Sequence, residues 1–408
     1  MTLQRLRIAI VGGGIGGLTL ALALRQRGLE AEVFEQAPEL TEIGAAVALS
    51  ANSTRELRRL GVLDQVAAVS TEPTELIYRS WQDGRRIAAH PVRHGLRYQE
   101  RFGAPYFGIH RADLQRILHG ALGGAGLHLG HRLQRIADHG DTIELRFTNG
   151  RTTEADLVVG ADGVRSIIRE WVAGGEGTTY SGTSAFRGIV SAKQLPSLPD
   201  PQAIQFWMGP NAHLLHYAIG GDGQDVNYFA VIEGPEAWPG AGSMCDIGPD
   251  EALDAFKGWH PAVTEMIGAV PHYKLWGLFV VRPLLQWHRG RAVLLGDSAH
   301  AMVPHHGQGA NTTIEDSITL AELLAGTEPG GLKAMLGQYQ TLRRARTRKI
   351  QRSSWATNAI LHLPDGPALQ ARDDKVAHFP ENFAWIHEFD ALQSARGTKQ
   401  PVESVMAG

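Results

Sequence analysis

The feature that most constrains this fold is a glycine-rich turn that follows the first apolar segment of the chain. Residues 8–11 are a short run rich in β-branched side chains, which predicts a buried strand. The sequence GGGIGG follows at residues 12–17, and residues 18–26 are rich in Ala and Leu without proline, which predicts a helix. Residues 31–35 predict a second strand that ends on an acid. Strand, glycines, helix, strand and acid in this order predict a dinucleotide-binding βαβ unit.

Each glycine of this turn has a different physical task. Gly12 permits a tight turn, Gly14 lets the backbone approach a pyrophosphate, and Gly17 lets the helix pack closely on the strand. The helix N-terminus offers free N–H groups and a partial positive charge to phosphates. Glu35 lies 18 positions after Gly17 (35 − 17), where an acid accepts hydrogen bonds from a ribose. The alternative is an ordinary glycine-rich βα turn, and the motif alone does not choose between FAD and NAD.

Length and composition are those of a globular protein with room for two domains. The chain has 408 residues, of which 43% are hydrophobic and 20% charged, and its net charge is −3. Nucleic acid is therefore not an expected partner. The one basic cluster, at residues 343–352, has a helical pattern and is interpreted as a solvated helix face.

The cysteine content and the lengths of the apolar runs indicate the cellular compartment of the protein. Cys245 is the only cysteine, so no intrachain disulfide can form. The N-terminus has no charged-then-apolar leader, and no apolar run approaches the ~20 residues that a membrane helix needs. We therefore expect a cytoplasmic protein without membrane contact. No metal site is expected at His305 and His306, because no carboxylate or cysteine stands at ligand spacing from them.

The pattern of helix-like and strand-like segments predicts two kinds of structure along the chain. Residues 1–177 have the α/β pattern of a nucleotide-binding domain, and residues 178–272 contain strand-like runs that predict an inserted antiparallel sheet. The α/β texture returns at residues 273–363 with a long helix, and residues 364–408 predict a helical tail. The predicted fold class is therefore α/β, with a Rossmann-type domain interrupted by a β-sheet domain.

Two further turns combine glycine and aspartate after predicted strands. Asp162-Gly163 and Gly296-Asp297 each follow a short apolar run. Turns at the carboxyl ends of strands in an α/β sheet converge on one ligand crevice. Three such turns suit a cofactor longer than half a dinucleotide, and Asp297 is placed to accept hydrogen bonds from a polyol hydroxyl.

Taken together, four segments resemble one protein family. They are VGGGIGGLTLALAL with Glu35, HRADL, VVGADGVRS and GRAVLLGDSAHAMVPHHGQGANTTIEDS. The set resembles the single-component flavoprotein aromatic hydroxylases of the salicylate hydroxylase and 3-hydroxybenzoate 6-hydroxylase kind. The resemblance implies a p-hydroxybenzoate hydroxylase-like FAD-binding domain with an inserted substrate-binding sheet. It also implies a monooxygenase that uses NAD(P)H and O2 to hydroxylate a phenolic ring, with decarboxylation as a variant where the ring carries a carboxylate.

The same resemblance implies the cofactors and the residues that hold them. FAD is bound non-covalently, and NADH or NADPH binds transiently as co-substrate, in keeping with the lack of a second GxGxxG. Reduced flavin binds O2 as a hydroperoxide, and the electron-rich ring attacks its terminal oxygen. The residues implied to bind FAD are Gly12, Gly14, Gly17 and Glu35 for the ADP part, Arg111 for the pyrophosphate, Asp162 and Gly163 in a segment that also serves the nicotinamide cofactor, Asp297 for the ribitol, and Gly309, Ala310 and Asn311 for the pyrimidine edge.

The predicted inserted sheet supplies a candidate catalytic base. A phenol is a better nucleophile as phenolate, and histidine suits the role of base near neutral pH. His213 and Tyr217 are four apart on a predicted strand and share one face, whereas His216 points to the other. The resemblance to the 3-hydroxybenzoate hydroxylase-like branch implies His213 as base and Tyr217 as its hydrogen-bonding partner. The alternative for His213 is a hydrogen-bonded core histidine.

Several other side chains are candidate substrate contacts. His305, His306 and Gln308 lie next to the predicted flavin loop, and a substrate or flavin contact is the hypothesis for each. Arg187 and Arg282 are hypothetical anchors for a substrate carboxylate, with surface or interdomain pairing as the alternative.

Two other functions stay open on the sequence. A flavin oxidase or reductase would use the same scaffold, and a non-catalytic FAD- or NAD-binding protein would keep the motifs without turnover. The expected partners are a small aromatic substrate and O2. The sequence leaves open the identity of the ring, NADH versus NADPH, and the oligomeric state, for which a homodimer is one alternative.

Overall fold

The computed structural model describes residues 6–40, 46–93, 97–124, 126–175 and 177–397. Its strands, in chain order, are β1 Ile8–Val11, β2 Ala31–Phe34, β3 Ala46–Leu49, β4 Glu75–Ser80, β5 Arg86–Pro91, β6 Phe107–His110, β7 Leu127–His128, β8 Leu133–Asp138, β9 Ile143–Phe147, β10 Thr152–Ala155, β11 Leu157–Gly160, β12 Thr178–Ser191, β13 Ile204–Gly209, β14 Ala212–Ile219, β15 Asp225–Glu233, β16 Met244–Asp246, β17 Lys274–Val281, β18 His288–Arg289 and β19 Ala292–Leu294.

The α-helices surround these strands and fill the C-terminal part of the described chain. In chain order they are α1 Ile15–Arg25, α2 Ala51–Arg59, α3 Leu63–Ala68, α4 Arg97–Phe102, α5 Arg111–Ala121, α6 Ile167–Ala173, α7 Pro249–Asp254, α8 Pro261–Gly268, α9 Asp297–His300, α10 Gly309–Leu324, α11 Leu332–Leu361, α12 Leu369–Ala377, α13 Phe379–Asn382, α14 Ala384–His387 and α15 Ala391–Gly397.

A largely parallel sheet built around β1 forms one layer. Its strand order is β18-β19-β11-β1-β2-β7, and β1 pairs in parallel with both β2 and β11. Every residue of β1 and β11 is buried, because helices and loops cover both faces of this sheet. α1 follows β1, and its residues 15–24 are all buried. The predicted βαβ unit and the α/β fold class are confirmed.

The second layer is an eight-stranded, mostly antiparallel sheet with the order β16-β17-β12-β15-β14-β13-β4-β5. The predicted inserted sheet is therefore present. The hairpin of β4 and β5 joins it through a parallel pairing of β4 with β13. The sheet thus takes strands from before residue 178 and, with β17, from after residue 272. The domain boundaries themselves stay predictions.

The contact between α10 and α11 corrects one interpretation of the sequence. Arg343 and Arg346 were assigned to a solvated helix face, but both are buried. Arg343 lies 2.7 Å from Glu315 and 2.6 Å from Asp316, and Arg346 lies 2.9 Å from Glu315. The interpretation was wrong for these two arginines because two carboxylates buried on α10 require charged partners. Arg348, Lys349 and Arg352 are exposed, as expected, and Arg344 is half-buried.

Two features are absent from the described ranges. No helix there combines the length and the apolar character needed to cross a membrane. Over the same residues, no group of three or more His, Cys, Asp or Glu side chains is arranged to hold a metal ion.

Candidate functional site

The glycine-rich turn between β1 and α1 has the geometry that each glycine was predicted to provide. Gly12 has φ +113°, and a β-carbon there would lie 2.2 Å from the carbonyl oxygen of Ala161. A β-carbon on Gly17 would lie 1.9 Å from the carbonyl oxygen of Gly12, so close packing of the helix excludes any side chain. A β-carbon on Gly14 would meet no protein atom within 4 Å. Packing of the protein therefore does not require glycine at position 14. The absence of a side chain there leaves space beside the N-terminus of α1.

Glu35 at the end of β2 holds the same turn. Its Oε2 accepts a hydrogen bond from the backbone N–H of Gly13 at 2.7 Å, and its Oε1 accepts one from Ala37 at 2.8 Å. Each carboxylate oxygen has a second lone pair. Glu35 thus fixes the turn while keeping acceptor capacity for the predicted ribose contact, which stays a prediction.

A cavity of about 160 Å³ opens in front of this turn. We call it the glycine cavity, and its lining residues are Gly14, Ile15, Gly16, Val47, Arg111, Ala161, Gly163, Leu295, Gly296, Asp297, Gly309, Ala310 and Thr313. All three glycine-containing turns and Arg111 therefore meet at one place, as the sequence predicts for carboxyl ends of neighbouring strands. Asp297 is exposed there and its carboxylate has no hydrogen-bond partner among the described residues.

Asp162 differs from its neighbours at this cavity. Its carboxylate accepts hydrogen bonds from the Ser166 hydroxyl at 2.5 Å and from the backbone N–H of Ile167 at 2.8 Å, at the start of α6. Burial raises the pKa of this carboxyl, against these hydrogen bonds. The side chain therefore caps α6, and Gly163, with φ +75°, is the member of the pair that lines the glycine cavity.

The N-terminus of α10 borders the same cavity. The first amides of a helix have no partner within it and carry partial positive charge. Gly309 and Ala310 line the cavity here. Asn311 is different, because its carboxamide accepts a hydrogen bond from Ser50 N–H at 2.9 Å and donates one to Ala48 O at 2.9 Å. Its side chain therefore ties α10 to the end of β3, and only its backbone remains for the predicted pyrimidine contact.

A second cavity of about 210 Å³ shares Val47, Arg111, Gly309 and Ala310 with the first. We call it the histidine cavity, and its lining residues are Ala46, Val47, Ala48, Arg111, Arg187, Phe206, His213, Leu215, Tyr217, Asn227, Phe229, Pro304, His305, Gly307, Gly309 and Ala310. The eight-stranded sheet forms one wall and the loop before α10 forms the other. The histidine cavity therefore lies between the eight-stranded sheet and the loop before α10.

His213 lies buried in the wall of this cavity, with 2% of its surface exposed. Its Nδ1 lies 2.7 Å from Nε2 of His362, and its Nε2 has no partner among the described residues. Burial, with His305 and His362 close by, holds the pKa of His213 well below its ordinary value. His213 is therefore a neutral imidazole with one nitrogen available to a ligand.

The predicted hydrogen bond between His213 and Tyr217 is absent from the described structure. Both side chains line the histidine cavity, as their shared strand face requires, but the ring partner of His213 is His362. The pairing is corrected on that point. Sequence reasoning missed His362 because it stands 149 residues away, at the end of α11, and no local pattern marks it. His216 faces the other side of the sheet and is fully buried, as expected.

The three candidates beside the flavin loop have different surroundings. His305 is 3% exposed, lines the histidine cavity, and has no hydrogen-bond partner on either ring nitrogen among the described residues. Burial lowers its pKa to about 3. His306 points away and lies 2.9 Å from the hydroxyl of Ser353. Gln308 donates to Ser50 Oγ at 3.0 Å and accepts from Asn52 at 3.1 Å, so its carboxamide belongs to a buried network outside both cavities.

The two arginines that were candidate anchors for a substrate carboxylate differ in position. Arg187 lines the histidine cavity, and its guanidinium carbon lies 3.4 Å from the ring centre of Trp276. This stacking orients the guanidinium plane. Arg282 is exposed and lines neither cavity. Only Arg187 is therefore placed to meet a ligand.

The arrangement fits a bound FAD. The space at Gly14 beside the N-terminus of α1 suits a pyrophosphate, and the free carboxylate of Asp297 suits ribitol hydroxyls. The first amides of α10 suit an anionic edge of the flavin ring. These features lie along one crevice that leads into the histidine cavity, so a ring held at Gly309 and Ala310 would border the space for a substrate.

Comparison with known proteins gives the same picture. The family described as FAD binding domain matches residues 5–354. The 3-amino-4-hydroxybenzoate 2-monooxygenase of Streptomyces cremeus is 39% identical over 94% of this chain and 95% of its own length. A solved structure of a salicylate hydroxylase substrate complex superposes with a TM-score of 0.83 at 27% identity, covering 98% of this chain and 99% of that one. The structure of Klebsiella pneumoniae HpxO complexed with FAD and uric acid superposes with a TM-score of 0.81 at 25% identity. It covers 95% of this chain and 97% of that one.

Proposed function

Because the chain belongs to the FAD-dependent aromatic hydroxylases, flavoprotein monooxygenases that use NAD(P)H and O2, we propose that its substrate is a benzoic acid carrying a hydroxyl or an amino group. The family membership confirms the resemblance drawn from the motifs, the p-hydroxybenzoate hydroxylase-like fold, FAD as cofactor and NAD(P)H as co-substrate. The proposal concerns the substrate class and the residues that act on it.

The cofactor is held by the residues of the glycine cavity. We assign the pyrophosphate to the open turn at Gly14 and to Arg111, the ribitol to Asp297, and the pyrimidine edge to the backbone of Gly309 and Ala310. When bound, the flavin supplies the redox and oxygen chemistry. The protein contributes placement, a partial positive charge at the N-terminus of α10, and exclusion of water.

The size of the histidine cavity supports a single substituted ring. A cavity of ~150 Å³ lined by apolar side chains is large enough to bind benzene. The histidine cavity measures about 210 Å³, which leaves space for a single ring with small substituents. Phe206 and Phe229 line it and suit an aromatic face.

The observation that carries the proposal is the position of His213. Its Nδ1 is held by His362, and its Nε2 is left for a ligand in the histidine cavity. At this position Nε2 takes the proton from a ring hydroxyl, or from an amino group as the ring acts as nucleophile, and so raises the electron density of the ring. Tyr217 and His305 share the cavity and are assigned to orient the substrate.

A carboxylate on the substrate would meet arginine. Arg187 reaches the histidine cavity from β12, and a guanidinium binds a carboxylate through two parallel hydrogen bonds. With the acid group at Arg187 and the ionisable substituent at His213, the ring is fixed at two points. Two fixed points determine which ring carbon faces the flavin.

The proposal is tested by oxidation of NADH and NADPH by the holoenzyme, with O2 uptake, peroxide and product followed together. The panel is 3-amino-4-hydroxybenzoate, 3-hydroxybenzoate, salicylate, 6-hydroxynicotinate and unsubstituted benzoate. We expect at least one substituted acid to stimulate oxidation without matching peroxide. Its product should be heavier by one oxygen atom or, where the ring is decarboxylated, should carry a hydroxyl in place of the carboxyl group with release of CO2, and benzoate should give neither.

The other outcomes decide between the alternatives. Stimulated oxidation that yields only peroxide with every acid would contradict this substrate class and favour an oxidase. Bound FAD with no oxidation of either nicotinamide cofactor would favour a non-catalytic binding protein. A higher ratio of kcat to KM for one nicotinamide cofactor would settle the choice between NADH and NADPH.

A further inference from the structure

We propose that His213, His362 and Glu233 form a proton relay that carries the proton of the bound substrate from the histidine cavity to the protein surface. The proposal rests on the assignment of His213 as base and adds the route by which the proton leaves. His362 and Glu233 are positioning and proton-transfer residues, because neither lines the histidine cavity.

The relay is a continuous row of hydrogen bonds. Nδ1 of His213 lies 2.7 Å from Nε2 of His362, and Nδ1 of His362 lies 2.5 Å from Oε1 of Glu233. Exposure rises along the row: His213 is 2% exposed, His362 is 5% exposed, and the side chain of Glu233 is 46% exposed. The row therefore begins at a buried ligand site and ends at water.

The carboxylate fixes the tautomers of both rings. A carboxylate only accepts hydrogen bonds, so Nδ1 of His362 carries the proton that it donates to Glu233. Nε2 of neutral His362 is then an acceptor, and Nδ1 of His213 must donate to it. Nε2 of His213 is consequently left with a free lone pair towards the histidine cavity, which is the form that a base requires.

Backbone hydrogen bonds hold the three residues in place. Asn211, in the turn between β13 and β14, has φ +57° and donates its N–H to the carbonyl of His362 at 3.0 Å. Its own carbonyl accepts from the N–H of Glu233 at 2.9 Å. Asn358, one turn before His362, also reaches Glu233 Oε1 at 3.3 Å. The end of α11, the turn at Asn211 and the end of β15 thus share one set of contacts.

The surroundings of His213 explain why a relay is needed. His305 faces its ring at 5.1 Å, Tyr217 shares its strand face, and Arg187 and Arg111 line the same cavity. No carboxylate lines this cavity among the described residues, and burial disfavours a charged imidazole. A proton taken from the substrate therefore has to leave His213 rather than remain on it.

The groups around the outer part of the relay favour transfer outward. His362 lies between Glu233 and His213, with the ring of His305 at 6.4 Å. Burial lowers the pKa of His362, while the Glu233 carboxylate partly restores it. Glu233 also acts on the hydroxyl of Tyr180, whose pKa is raised mainly by burial. The negative charge at the outer end attracts the proton along the row.

The transfer conserves every proton. The substrate O–H or N–H bond breaks and an N–H bond forms at Nε2 of His213. The Nδ1 proton of His213 passes to Nε2 of His362, and the Nδ1 proton of His362 passes to the carboxylate of Glu233. Glu233 releases its proton to water, so one proton enters the row from the substrate and one leaves to solvent. The starting tautomers are regained when the same path runs inward: water protonates Glu233, the protons pass through His362 to Nδ1 of His213, and Nε2 of His213 returns a proton to the anionic product.

A first experiment needs no substrate. Nitrogen-15 NMR of the oxidised holoenzyme, with histidines labelled and assigned by His213→Gln and His362→Gln, reports which ring nitrogen carries the proton. We expect both rings to carry it on Nδ1. A proton on Nε2 of His362, with a lone pair towards Glu233, would overturn the relay.

A second experiment follows the proton. The holoenzyme is mixed rapidly with 3-amino-4-hydroxybenzoate in the presence of a pH-indicator dye. We expect His213→Gln, His362→Gln and Glu233→Ala each to slow proton release by ~100-fold or more, the lower end of general acid–base effects. Acetate should restore the rate of Glu233→Ala, because this end of the relay is open to solvent, and should not restore His362→Gln. Glu236→Ala and His378→Gln, both exposed, are the controls and should match the unmodified enzyme.

The results separate this proposal from the function it rests on. Slow release in His213→Gln alone, with normal release in His362→Gln and Glu233→Ala, would leave the base role standing and remove the relay. Loss in Glu233→Ala without rescue by acetate would indicate a structural role for Glu233. Hydroxylation without any proton release would contradict the base role of His213, and the relay with it.

Discussion

At the scale of single residues, the polar side chains near the crevice divide into those whose hydrogen-bonding capacity the protein uses and those left for a ligand. Asn311, Asp162 and Gln308 bind the protein through their polar side-chain atoms. Asp297 and Nε2 of His213 have no partner among the described residues, although both border cavities. Because unpaired polar groups beside a cavity are costly unless water or a ligand pairs with them, the second group marks the binding chemistry.

Asp297 gives the clearest test of that division. We expect Asp297→Ala to raise the dissociation constant of FAD by ~10- to 100-fold, since a hydrogen bond to a charged group contributes ~1.5–3 kcal/mol. The fold should be unaffected, because the carboxylate supports no described protein contact. The measurement is titration of the apoprotein with FAD by flavin fluorescence, with Asp64→Ala, exposed on α3, as the control. Equal FAD affinity in Asp297→Ala and the control would remove Asp297 from the cofactor site.

At the scale of elements, the glycines between β1 and α1 have two different roles, close packing of the helix and space for a ligand. Gly17 is required by packing of α1 against the end of β1, and Gly14 is not required by any protein atom. Gly14 has φ −73° and ψ −174°, which any residue adopts. The absence of a side chain at Gly14 is therefore explained by what approaches it from outside the protein.

The two glycines are predicted to fail in different ways. We expect Gly14→Ala to keep the free energy of unfolding of the apoprotein within ~1 kcal/mol and to weaken FAD binding, because its methyl group enters the space for the pyrophosphate. Gly17→Ala should lower the free energy of unfolding by ~1–3 kcal/mol or more through overpacking. Urea unfolding of both apoproteins and FAD titration measure the two effects. Unchanged FAD affinity in a stable Gly14→Ala protein would contradict the cofactor role of this turn.

The sequence predicts these elements well where the chemistry is local. The strand, the glycines, the helix and Glu35 lie within 29 residues, from Arg7 to Glu35, and each leaves a pattern of its own. Partnerships across the chain leave no such pattern. Asn311 and Ser50 are 261 positions apart, and His213 and His362 are 149 apart. Only the structure therefore shows that the Asn311 carboxamide binds Ser50 and that the ring partner of His213 is His362. The burial of Arg343 against Glu315, between α10 and α11, likewise leaves no local pattern in the sequence.

At the scale of the whole molecule, the site exists because two sheets face one loop. The parallel layer supplies the glycine cavity, the eight-stranded sheet supplies the wall with His213, and the segment from Pro304 to Ala310 borders both. This interface also collects histidines that are buried without charge. Burial lowers the pKa of His305 to about 3 and that of His306 to about 4. Outside the two cavities, burial lowers the pKa of His216 and of His387 to about 3 as well.

These histidines predict how stability depends on pH. Their pKa is lower in the folded protein than the 6.5 of an exposed histidine, so the unfolded chain binds more protons between pH 6.5 and about 4. The free energy of unfolding should therefore fall as the pH falls through this window, by up to ~1.4 kcal/mol per pH unit for each histidine. Glu315 and Asp316, whose pKa is lowered below 4.5 and 3.8, contribute stability that is lost only at lower pH. Urea unfolding of the apoprotein between about pH 7.5 and 5 measures this fall.

His216 isolates the contribution of one proton. It is fully buried on the far side of the sheet, both ring nitrogens lack a partner among the described residues, and it lies outside both cavities. His216→Leu removes its titration and leaves no polar atom unpaired, so we expect the slope of the unfolding free energy against pH to decrease by ~1.4 kcal/mol per unit. His139→Leu, at an exposed position, should keep the full slope. If the stability of the unmodified apoprotein were constant over this window, or if His216→Leu kept the slope of the parent, these histidines would not be the neutral, buried groups that the structure describes.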